Sequence, residues 1–176
     1  MINFPTSSSG TISKKQSTFL EIEIQGIDYR INYIGKVEFS LESDAFESIL
    51  IEESHPLLLN YSSSWSSIYI HKNPKEQNQE IEAKVTELVF EHFSGWRAPQ
   101  SFLNETMGFR MLKESMGLFF HAPIGLSKKV DSLLCDYGIG TSTIESKDKN
   151  KDLKVLLLDQ SYVIAKDFKI TSNKAG

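Results

Sequence analysis

An α+β domain with a largely antiparallel sheet is the fold class that this 176-residue chain predicts. Three observations predict it. Apolar and polar residues alternate with period two over residues 18–42, strand-like runs return after residue 140, and the helical periodicities lie between. The expected architecture is one domain over residues 18–176, with three to four helices inserted between N- and C-terminal strands. A chain of this size is long enough to hide roughly 68–70% of its unfolded surface.

Residues 1–17 are rich in Ser, Thr, Lys and Gly and supply almost no core, so they are expected to form a flexible tail. Leu20, Ile22 and Ile24 then alternate with Phe19, Glu21 and Glu23. Tyr29, Ile31 and Tyr33 alternate with Arg30, Asn32 and Ile34, and Val37, Phe39 and Leu41 with Glu38, Ser40 and Glu42. Glycines at 26 and 35 separate the runs, which predicts a three-stranded meander, apolar on one face and acidic on the other. Ser43 or Asp44 is placed to cap a short helix through Ile51, which His55-Pro56 ends because the residue before proline avoids the α region. Residues 56–61 and 65–71 read as two strands around a serine-rich turn.

The clearest helix covers residues 74–93. Asn73 is its N-cap, Pro74 its first residue and Gly95 lies past its end, with Ile81, Val85, Leu88, Val89 and His92 along one stripe. A loop at 96–99 follows. Asn104 is expected to cap a helix to Ser115, which Gly108 weakens. Residues 117–123 read as a buried strand, and Ser127 as the cap of a helix to Tyr137 with Gly138 as its stop. Strands at 141–145, 153–158 and 162–170 complete the pattern, with a polar turn at 147–152.

Charge is the most uneven property of the chain. Residues 21–54 carry Glu21, Glu23, Asp28, Glu38, Glu42, Asp44, Glu47, Glu52 and Glu53 against Arg30 and Lys36, a net of −7 where the whole chain is −4. Several of these carboxylates serve to solvate the open face of a sheet. As a concentrated field, however, the block attracts cationic partners and repels nucleic acid.

Motifs of catalysis are scarce. The four histidines, His55, His71, His92 and His121, stand at no recognised metal spacing, and His121 is the one expected to be buried. Neither a metal nor a cofactor is expected. Cys135 is the lone cysteine, which precludes an intrachain disulfide. It reads as a packing residue near a helix C-terminus, where the dipole opposes a thiolate. No Gly-x-Ser-x-Gly turn surrounds the serines at 62–67, and no glycine-rich phosphate loop is present. Lys147, Lys149, Lys151 and Lys154 are interleaved with Asp148 and Asp152, so at a pI near 5.6 the basic footprint of a nucleic-acid binder is missing. No apolar run reaches the ~20 residues of a membrane span, and the N-terminus lacks a secretory h-region. With its Lys, Asn, Ile and Ser content, the chain is expected to be a cytoplasmic protein from an AT-rich bacterial gene.

One constellation points to recognition. On a strand at 65–71, Trp65, Ser67, Tyr69 and His71 share one face and Ser66, Ile68 and Ile70 the other. Trp96 and Arg97 sit in a loop, and Trp, Tyr and Arg are the residue types most often found as interface anchors. The same residues also fit a structural account, with Trp65 under a helix, Tyr69 half-buried, Trp96 closing the core and Arg97 paired with a carboxylate. The expected function is that of an acidic cytoplasmic protein-binding domain, such as a bacterial immunity protein that neutralises a cationic, nuclease-type toxin. Trp65, Tyr69, Trp96, Arg97, Glu42, Glu47, Glu52 and Glu53 are its expected contacts, with no nucleic acid or membrane as partner and no catalysis. The alternatives are an enzyme with a nonstandard His–carboxylate site at His121 or His71, and a structural or adaptor subunit.

Overall fold

The computed structural model describes residues 8–72, 78–114, 116–146 and 152–173. The expected helix start at Asn73 and Pro74 and most of the polar turn at 147–152 lie outside these residues. The fold is α+β with antiparallel strand pairing throughout. The chain divides into two compact units, one made of Met1–Leu58 with Lys151–Gly176 and one of Leu59–Asn150. Each has its own hydrophobic cluster.

In the first unit the alternation over residues 19–34 becomes a hairpin of β2 (Phe19–Ile24) and β3 (Ile27–Ile34). Gln25 and Gly26 turn it with φ of 53° and 76°. Leu20, Ile22 and Ile24 point inward and are buried, each worth roughly 1.5–3 kcal/mol of transfer free energy. The meander stops there. The far edge of β3 is taken by β12 (Asp167–Asn173), so the third run, β4 (Glu38–Ser40), pairs instead with β11 (Ser161–Ala165) in a second sheet.

Most of the described part of the expected tail is a strand. β1 (Gly10–Lys15) lies between β2 and β5 (Ala45–Phe46). Composition underrates this strand, because a backbone ladder on both sides holds it and only Ile12 is buried. Gly10 permits the approach, since a Cβ there would stand 2.3 Å from the Glu23 carbonyl oxygen.

Residues 43–51 form β5 and β6 (Leu50–Glu52) in place of the expected helix. Backbone donors on either side of the expected cap are claimed from far along the chain. Ser161 Oγ accepts from the N–H of Glu42 at 2.9 Å. The Asp159 carboxylate accepts from Glu47 at 2.7 Å and Ser48 at 3.0 Å. Asp159 and Ser161 flank the turn between β10 (Lys154–Leu158) and β11. The second sheet runs β4-β11-β10-β6 and shares one core with the first, in which Ile22 and Ile31 join Leu156 and Val163.

Residues 56–61, expected as a strand, are helical, as a 3-10 turn at Pro56–Leu58 and α1 (Leu59–Ser62). A short apolar run does not declare its period, and His55 Nδ1 accepts the Leu57 N–H at 3.3 Å at the start of the turn.

The second unit is a two-layer arrangement. β7 (Trp65–Lys72) is flanked by β8 (Gly117–Pro123) and β9 (Gly140–Ser146). α2 (Asn78–Phe93) and α4 (Ile124–Asp136) cover one face through Ile81, Val85, Val89 and Phe93, and Leu126, Val130 and Leu134. Asn104 does cap, its Oδ1 accepting from the N–H of Met107 at 2.9 Å. Gly108, at φ 51°, then shortens the expected helix to a 3-10 turn and α3 (Met111–Glu114). α4 begins three residues before Ser127, whose hydroxyl instead donates to the Ser66 carbonyl at 3.0 Å and ties helix to sheet.

Candidate functional site

The expected contact residues fall into both units. In the first, Glu42, Glu47 and Glu53 are exposed and Glu52 is half-buried. Folding brings bases from distant segments to the acid block. Lys15 reaches Asp44 at 3.1 Å and Lys154 reaches Glu53 at 3.0 Å, while Arg30, itself within the block, approaches Glu21 at 3.7 Å and lies over the Phe19 ring. Hydrogen bonds from Lys154 to Glu53 and Asp167 raise the Lys154 pKa. Glu38 accepts the Tyr162 hydroxyl at 2.6 Å. The first unit as a whole is −3, against −7 for the segment within it. What stays without a basic partner among the described residues is the half-buried Glu52 together with the exposed Glu42, Glu47 and a cross-strand pair, Glu23 opposite Asp28. Like charges directly opposite on a sheet are unfavourable.

The second unit carries the aromatic face. Its helices cover the side of Ser66, Ile68 and Ile70, which leaves Trp65, Ser67 and Tyr69 half-exposed and His71 exposed on the other. The register adds Leu118 and His121 from β8 and Ser142, Ile144 and Ser146 from β9. None of these nine residues carries a formal charge apart from histidine. Ile144 is 61% exposed. The Trp65 ring lies 4.7 Å from that of His121, and its Nε1 donates to the Asn60 carbonyl at 2.9 Å. Trp65 thus serves both accounts: it packs against the core and shows its remaining surface. Trp96 and Arg97 are half-buried in the loop after α2.

Two histidines depart from expectation. His121 is exposed, because it lies on the open face, and His55 is the buried one. Burial holds the His55 imidazole below its usual pKa range, with Glu52 pulling the other way. His121 Nδ1 is 2.9 Å from Ser67 Oγ, and His71 Nε2 bonds Ser142 Oγ. Neither of these two rings pairs with a carboxylate among the described residues. Cys135 is exposed rather than packed. Among the described residues no cluster of three or more His, Cys, Asp or Glu is placed to hold a metal ion, and no helix is long and apolar enough to cross a membrane.

Comparison with protein-family models, curated proteins and solved structures finds no match for this chain.

Chemically, the open face offers flat aromatic surface, hydroxyls and imidazoles that adapt as donors or acceptors, and one exposed aliphatic side chain. That is the composition of protein-binding surfaces that combine rigid contact area with adjustable hydrogen bonding. Sequence reasoning singled out β7 and named His121 as a buried candidate rather than as part of this face, and it missed Ile144 on the neighbouring strand. A signal for Ile144 was present: it is the one aliphatic side chain in the polar run Thr-Ser-Thr-Ile-Glu-Ser.

Proposed function

We propose that this protein is an acidic binding protein that holds a cationic protein partner in the cytoplasm, in the manner of a bacterial immunity protein that neutralises a nuclease-type toxin. The observation that carries the reading is the uncharged Trp65–Tyr69–His121–Ile144 face, left open on a sheet whose other side is covered by helices. Desolvating such a face gives short-range attraction, and its aromatic side chains lose little conformational freedom on binding. The exposed Glu42 and Glu47, which no base answers among the described residues, supply the long-range part, drawing a positive partner toward the protein. An inhibitor of this kind needs no reacting groups. It needs an anchor and a field.

Affinity capture tests the proposal when wild type, Tyr69→Ala and the quadruple variant E42Q/E47Q/E52Q/E53Q are compared. The wild type is expected to retain a basic protein, and both variants to retain at least about tenfold less, the loss expected when an anchor contact worth ~1.4 kcal/mol is removed. Retention of an acidic partner, or equal retention by all three proteins, would contradict the proposal.

A further inference from the structure

We propose that two copies of this chain associate through the free edge of β9, in antiparallel register about Thr143. The three-stranded sheet of the second unit has two edges, and the fold treats them differently. β8 is covered: Leu103 bridges Phe120, the Phe102 carbonyl accepts from the His121 N–H at 2.7 Å, and the Asn104 N–H donates to the Phe119 carbonyl at 3.0 Å. On β9 no described strand occupies the outer edge, and Ser142 to Ser146 are all exposed.

Natural proteins blunt an open edge by short length, charge, proline or a bulge. The edges of the first unit show this. β4 and β6 have three residues each, β5 has two, and β12 carries Asp167 and Lys169. β9 has seven residues, no proline and no lysine. Its single charge, Glu145, is turned to the helix side, 3.9 Å from Lys128 on α4. The one register shift in its ladder, between Ile70 and Lys72, lies on β7, so β9 itself runs without a bulge. Among the described long edges it carries the fewest guards, one glutamate where β12 has Asp167 and Lys169.

A second copy is the occupant that this edge fits. A two-fold axis at Thr143 pairs all seven residues, the longest ladder the strand allows. It sets Thr143 against Thr143, Ser142 against Ile144, Thr141 against Glu145 and Gly140 against Ser146. No like charges meet, and the two Ile144 side chains become diagonal neighbours on the open face, within roughly 7–8 Å. The helices leave room. α4 contacts all three strands and so lies over the middle one. The two β7 strands would stand three strand spacings apart, about 14 Å, wider than the roughly 8–10 Å at which helices pack. The resulting six-stranded sheet doubles the aromatic face. An edge pair of this length lies at the small end of specific interfaces, below about 1,200 Å² in total.

Sedimentation velocity on the full chain tests the proposal without any partner. The wild type is expected to pass from monomer to dimer between about 5 and 500 μM, as a small interface dictates. Thr143→Lys and Thr143→Glu each place like charges on the axis, and each is expected to stay monomeric while melting as the wild type does. Mixing the two should restore the dimer. A wild type that is monomeric at about 500 μM overturns the proposal and leaves the edge to an extended strand of another protein. A dimer indifferent to both substitutions, or not rescued by mixing, overturns the register and with it the interface.

Discussion

The two units distribute charge and apolar surface in opposite ways. In the first, the chain gathers nine carboxylates in one segment and then answers them with bases from elsewhere, Lys15 at Asp44 and Lys154 at Glu53. In the second, charges line the helices while the open sheet face carries none beyond its histidines. Charge counted along a sequence therefore overstates the field that folding leaves. Apolar surface counted along a sequence understates the patch that folding builds, because Ile144 and Tyr69 come onto one face only through strand pairing. A partner would meet a weakened field in one unit and a concentrated adhesive surface in the other.

Separate cores make the first prediction. Phe93 is fully buried and stacks on Phe102, ring centroids 5.1 Å apart. Phe93→Ala is expected to cost about 3–5 kcal/mol. Hydrogen exchange should place the lost protection mainly within residues 59–150, with β2 and β3 retaining theirs. Equal loss in both units would break the comparison.

Deletion of residues 1–17 is expected to be the next largest effect. It strips β1 from between β2 and β5, and the melting temperature should fall by more than about 5 °C, the change expected for ~2 kcal/mol in a protein of this size.

How far the sequence foretold this follows from particular residues. Strands with strict alternation were legible, as at 19–34 and 65–72, because one face is buried and the register is thereby fixed. The helix stop at Gly138 was legible from local chemistry, and φ there is 71°. What was hidden depends on long-range partners. β1 looks like a tail because its ladder comes from β2 and β5. Residues 43–51 look like a capped helix from Ser43 and Asp44 alone, whereas the groups that take their backbone donors, Asp159 and Ser161, lie far along the chain. At the candidate site β7 was legible as a two-faced strand, whereas the contribution of His121 and Ile144 requires knowing which strands flank it.

Each unit also holds one partly desolvated imidazole, which gives a pH dependence. Burial lowers the pKa of His55 in the first unit and of His92 in the second, where Lys129 adds to the effect. A depressed folded-state value means that the folded protein binds fewer protons. Stability is therefore complete above the unfolded value of about 6.5 and declines as pH falls from there through the folded values. The urea midpoint should be lower at pH 5 than at pH 7.5, and H55Q should flatten this decline in the first unit alone.

The smallest effect concerns Glu23 and Asp28. Glu23→Gln relieves a like-charge cross-strand pair and is expected to stabilise the protein by about 0.5 kcal/mol, read from the denaturant midpoint. Destabilisation would show that the pair is satisfied by contacts of another kind.

The division of labour between the units is tested most directly by stopped-flow kinetics with the captured partner at increasing salt. Screening shortens the Debye length from ~30 Å at 0.01 M to ~10 Å at 0.1 M. The wild-type association rate should fall steeply across that range, and E42Q/E47Q/E52Q/E53Q should lower it and flatten its salt dependence while leaving dissociation within about twofold. Tyr69→Ala should do the reverse, speeding dissociation about tenfold with association unchanged. An association rate indifferent to salt and to the four glutamates, or a dissociation rate indifferent to Tyr69, would contradict the account.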